Sequence, residues 1–115
     1  MARGFQVRSA GRDEQTDRER FKSVSGIIES AIASVQKEKG TLQTRVDTAR
    51  DLAALSAGTA YDEYLTRETI DTARITEYER QMLAGEKRIG ELERQLGGLE
   101  ATQELFVRFF ASAIR

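Results

Sequence analysis

Apolar residues recur along this chain at steps of three and four, in two long runs separated by a short turn-like stretch. The first run holds Phe21, Val24, Ile28, Ile32, Val35, Leu42, Val46, Ala49, Leu52 and Ala53. Ile27 and Leu55 widen it, and Glu38 and Lys39 interrupt it. Such steps gather side chains on one face of an α-helix. The spacing predicts a helix over about 14–57, opening among Asp13, Glu14 and Asp17, where acids suit the positive end of the helix dipole.

The second run is stricter. Ile75, Tyr78, Met82, Gly85, Ile89, Leu92, Leu96, Leu99, Gln103, Phe106, Phe110 and Ala113 alternate steps of three and four without a slip, and only Gly85 and Gln103 are not apolar side chains. A sustained heptad seam predicts a helix, over about 60–114, supercoiled with a partner helix. Gly97 and Gly98 lie outside the seam, so the helix is expected to pass through them. Between the runs, Gly58 suits a left-handed helix end, and Thr59 with Asp62 suits a new helix start. The turn is therefore expected at 57–60.

Folding the chain about Gly58 sets Phe21 beside Leu96, Ile28 beside Ile89, Val35 beside Met82 and Leu42 beside Ile75, all apolar pairs. The expected fold is all-α: an antiparallel two-helix coiled-coil hairpin over 13–115. Residues 1–12 form a separate arm, extended or disordered, with Arg3, Arg8 and Arg12, Gly4 and Gly11, and the alternating Phe5-Gln6-Val7.

Two helices bury one seam, yet residues 105–114 are apolar almost all round. With the turn at 57–60, Gln103 falls opposite Glu14, so Phe106, Val107, Phe109, Phe110 and Ile114 have no long partner in the hairpin. Each large side chain left in water forgoes about 1.5–3 kcal/mol of burial, a large fraction of a typical net stability of about 5–15 kcal/mol. A second copy covering these faces predicts a homodimeric four-helix bundle. Its interface is expected at Ile89, Leu92, Leu96, Leu99, Phe106, Phe109, Phe110 and Ile114. Beside the seam, Glu79, Glu86, Glu93 and Glu100 lie on one flank and Arg74, Gln81, Arg88 and Gln95 on the other. A parallel pair of second helices would place Arg74 by Glu79 and Arg88 by Glu93.

Composition narrows the chemistry. The chain of 115 residues has 18 Lys and Arg against 19 Asp and Glu, so no net field draws it to nucleic acid or anionic membrane. It has no Pro to break a long helix. With no Cys and no His, thiolate chemistry, Cys/His zinc sites and imidazole catalysis are absent by count. Glu68 and Asp71 are the only carboxylates on the inward seam. No catalytic residues, no metal and no cofactor are expected, and the chain is read as not an enzyme. Tyr61 and Tyr64, with Asp62 and Glu63, close the seam near the turn and offer a tip contact.

Three arginines in residues 1–12 are few for phosphate binding, and acids follow at once. The phenylalanine-rich end has too thin a basic face for a membrane surface. No run of apolar residues is long enough to span a bilayer, and residues 1–12 have no signal-peptide core, so a cytoplasmic address is expected. The expected role is a non-enzymatic structural or scaffold protein acting through coiled-coil self-association. The alternative is a helical-hairpin adaptor or chaperone holding a client protein, as in a secretion or export system. In general shape the chain resembles the small coiled-coil hairpins that serve such systems, although no motif carries the likeness.

Overall fold

The computed structural model describes residues 9–62 and 68–113, with side chains at 9–57 and 72–112. Two helices account for them: α1 at Ala10–Asp62 and α2 at Glu68–Ala113. They form an all-α hairpin. Among the described residues, no helix is long and apolar enough to cross a membrane.

The first helix begins earlier than the acids suggest. Ser9 caps it: its hydroxyl oxygen accepts from the Arg12 N–H at 3.2 Å, and its carbonyl accepts from the Asp13 N–H at 3.0 Å. These bonds satisfy donors that a helix start leaves open. Asp13 then sits in the first turn. Gly11 and Arg12, expected in the arm, are thereby helical; residues 1–8 lie outside the described residues.

The first helix also continues through 57–60, where the turn was expected, and ends at Asp62. Residues 63–67, which connect the helices, lie outside the described residues. The expected pairs are displaced accordingly. Phe21 lies on Phe106 and Phe110, not beside Leu96; Phe110 is two heptads beyond Leu96. Gln103 donates to Glu29, not to the neighbourhood of Glu14. Val46 packs on Gly85, and Glu38 pairs with Arg88. A seven-residue seam stays in phase when slid by whole heptads, so most apolar positions match in either register; the shorter one would set Val46 by Asp71 and Ala49 by Glu68. Keeping Gly58 helical costs about 1 kcal/mol. Two new aromatic contacts, each worth about 0.5–1.5 kcal/mol beyond burial, outweigh it.

The chain divides into two compact units. The inner unit, Val35–Leu96, holds the apolar core: Val46 and Leu92 are 1% exposed, Ala49 4% and Ile89 7%. Gly85 is buried there, and a Cβ built on it would lie 2.5 Å from Val46 Cγ2, so the two helices touch backbone to side chain. The outer unit joins Met1–Ser34 to Gly97–Arg115. Its described residues contain no buried apolar side chain; Ser25 is the one buried residue. The helix passes through Gly97 and Gly98 unbroken. Within both helices, threonines at 41, 44, 76 and 102 donate to the carbonyl four residues back, which keeps their hydroxyls bonded without ending the helix.

Candidate interaction surface

In the inner unit the flanking charges close on the chain itself. Arg88 grips Glu38 with two donors, Nε to Oε2 at 2.9 Å and Nη2 to Oε1 at 3.3 Å, and reaches Glu91 with Nη1 at 3.1 Å. Arg50 lies 3.5 Å from Glu86. The hydrogen bond from Arg88 holds the Glu38 carboxyl below its ordinary range, and Glu38 in turn raises the Arg88 guanidinium. All these groups are solvated, so the pairs favour one alignment of the helices more than they add stability. Arg88, expected beside Glu93 of a parallel copy, is paired with Glu38 and Glu91 of its own chain. Glu38, which interrupts the apolar run, is its partner.

The residues expected at an interface separate into three groups. Ile89 and Leu92 are buried within one chain, beside Val46 and Ala49 in the core of the inner unit. Leu96, Leu99, Phe106 and Phe110 are half-buried, while Phe109 is exposed. Tyr64 and Ile114 lie outside the described residues, as do the side chains of Tyr61, Glu68 and Asp71.

The inner unit exposes Leu52, Leu55 and Leu83, and the outer unit carries the larger exposed apolar surface. The Phe21 ring stacks on Phe106 with centroids 5.3 Å apart and planes 6° from parallel, and lies 4.1 Å from Phe110 at 32°. The expectation that Phe106 and Phe110 lack a partner in the hairpin is thus corrected, and the two-heptad shift is the reason. Around this triplet opens a groove of about 340 Å³, lined by Asp17, Arg20, Phe21, Val24, Phe106, Phe109 and Phe110. Phe109 and Leu105 are about two-thirds exposed, Ile27 slightly more, and Val24 and Val107 are 42% exposed.

The groove has one acid and one base at its rim, Asp17 and Arg20, 3.4 Å apart, and otherwise hydrocarbon. Its lining has the chemistry to bury an apolar side chain. Among the described residues, no three acids gather where they would hold a metal ion. Sequence reasoning found Phe106, Phe109 and Phe110 by their density. It missed Phe21 and Val24 as part of the same surface, because the shorter register set them elsewhere. No protein-family model, curated protein or solved structure matches the chain.

Proposed function

We propose that this chain is a non-enzymatic structural or scaffold protein that works by helix-mediated self-association. The observation that carries the reading is the contrast between the units. The inner one has a small apolar core and exposes Leu52, Leu55 and Leu83, while the described part of the outer one has no buried apolar side chain and exposes Val24, Ile27, Leu105, Val107 and Phe109. Leaving five such side chains in water forgoes several kcal/mol in a molecule whose whole margin is about 5–15 kcal/mol. A cover that must be present whenever the chain is folded is most simply another copy of the chain.

The test is the solution mass of the full chain by sedimentation equilibrium, from low micromolar concentration upward. A concentration-dependent dimer or higher species supports the reading. A monomer that keeps full helix content across that range refutes it. The aromatic groove favours one second reading, an adaptor or chaperone that seats an apolar side chain of a client protein between Phe21, Phe106 and Phe109. The monomeric outcome would favour that reading.

A further inference from the structure

The outer unit has two unlike flanks. On one, the Gln103 amide donates to Glu29 at 3.2 Å, and Val107 follows Gln103 one turn later on a row that also holds Glu100. The other flank holds the groove. From it, two rows run at heptad spacing. On α1 the row is Val24, Ile27, Ala31 and Ser34; on α2 it is Phe109, Leu105, Thr102 and Gly98. Val24 and Phe109 line the same groove, which puts both rows on one side of the helix pair.

Neither row contains a charged residue, and the rim beside them carries Asp17 and Arg20, one of each sign. Steps of three and four on both helices form a second seam, the pattern that receives helices. Both rows also taper. Large side chains stand near the groove, at Val24, Ile27, Leu105 and Phe109, and small ones stand away from it, at Ala31, Ser34, Thr102 and Gly98.

We propose that this face is the self-association surface, and that a second copy stacks on it antiparallel, about a two-fold axis. The axis passes between Ile27 and Ala31 on α1 and between Leu105 and Thr102 on α2. The two-fold sets the large half of each copy against the small half of the other: Val24 and Ile27 over Ser34 and Ala31, Phe109 and Leu105 over Gly98 and Thr102. An isologous contact requires such self-complementarity. The charge balance fits the same occupant, because an uncharged face with a neutral rim repels no copy of itself and rewards no partner of net charge. Stacked this way, the outer units form a four-helix layer pair with Val24, Ile27, Leu105 and Phe109 inside it, and Val107 stays on the open flank.

This inference rests on the self-association reading, and the experiment separates the two. Sedimentation equilibrium is run on the full chain and on Ile27→Glu, Phe109→Glu, Val107→Glu and Ser34→Leu. All four positions are exposed or nearly so, and a glutamate there is solvated in the single chain. Symmetry places Ile27→Glu, Phe109→Glu and Ser34→Leu in the interface twice. Ile27→Glu and Phe109→Glu should each raise the dimer dissociation constant by about a hundredfold or more, while Val107→Glu leaves it within about threefold. Ser34→Leu, which fills the space meant for the partner's Val24 or Ile27, should weaken the dimer; a tighter dimer would overturn the antiparallel order.

A wild-type chain that stays monomeric overturns both the reading and the inference. A wild-type dimer that Val107→Glu dissociates and Phe109→Glu does not overturns this face alone. Should a glutamate variant lose helix content, alkylation gives the second readout, since the chain has no cysteine of its own. Thr102→Cys should react more slowly as protein concentration rises, and Glu100→Cys should not. Equal rates at all concentrations overturn the proposal. So does protection of Thr102→Cys that ignores concentration, because the cover would then come from within the chain.

Discussion

Gly85→Ala should separate close helix contact from helix propensity. Alanine in place of an exposed, unstrained helical glycine stabilises by about 1 kcal/mol. Gly97 and Gly40 meet that condition: a Cβ at either finds nothing within 4 Å. At Gly85 the same methyl would stand 2.5 Å from Val46 Cγ2, well inside ordinary contact. Val46 is 1% exposed and β-branched, with one strongly preferred rotamer in a helix, so it cannot turn aside. The helices must part instead, which costs about 1–3 kcal/mol of the kind seen when a packed core is overfilled. Measured by urea unfolding at constant slope, Gly85→Ala should fall about 1–3 kcal/mol below Gly97→Ala. Val46→Ala alone should lose roughly 2 kcal/mol through the cavity it leaves. The double variant should lose less than the sum of the two by about 1 kcal/mol, because the new methyl occupies part of that space. Should Gly85→Ala stabilise as much as Gly97→Ala, or should the two changes add, the helices do not meet at this point and the register given above is wrong.

Leu92→Asp and Ile89→Asp place an unpaired charge in the inner core and should each remove more than about 3 kcal/mol, read as loss of helix signal at 25 °C; an unchanged melting point would show these positions to be solvated. Phe21→Ala removes both ring contacts of the outer unit and should cost about 3 kcal/mol; a change under about 0.5 kcal/mol would refute the aromatic packing. The Glu38 carboxyl is lowered in the fold by Arg88, so its contribution is present above the unfolded carboxylate range and lost as pH falls through the folded value. Glu38→Gln should therefore lower stability slightly at neutral pH, leave it unchanged in acid below the folded value, and so flatten part of the acid limb of the stability profile; an acid limb identical to wild type would rule the pair out as its source.

Much of this fold is legible in the sequence because a helical seam is a local, repeating signal. Each of Ile75 to Phe110 on the strict run states the same face, so the second helix and the hairpin follow from spacing alone. The register does not, since Phe21 meets an apolar residue whether it lies by Leu96 or by Phe110. Marks that break the repeat decide it. Glu38 looked like a flaw in the apolar run and is the partner of Arg88. Gly85 looked like a gap in the seam and is where Val46 enters. Ser9 was not legible as a cap, because the residue three places on is Arg12 and not the Glu or Gln of a capping box, and the acids begin only at Asp13. The groove was half legible: the density of phenylalanine near the end of α2 announced it, but the α1 side required the true register.

The two-heptad ambiguity also shapes how the molecule reaches its native state. A chain that first closes at Gly58 lays Phe21 on Leu96 and Ile28 on Ile89, hydrocarbon on hydrocarbon, although it also sets Val46 by Asp71 and Ala49 by Glu68. It lacks the phenylalanine stack, the seat of Val46 on Gly85 and the Glu38 fork. Leaving that arrangement means reopening the hairpin, because sliding by one heptad at a time would drag every seam side chain past a charged flank. The folding landscape thus has a second well beside the native one. Refolding should show a slow phase from chains that closed early, and substitutions at Phe21 or Arg88 should enlarge its amplitude by narrowing the gap between the wells.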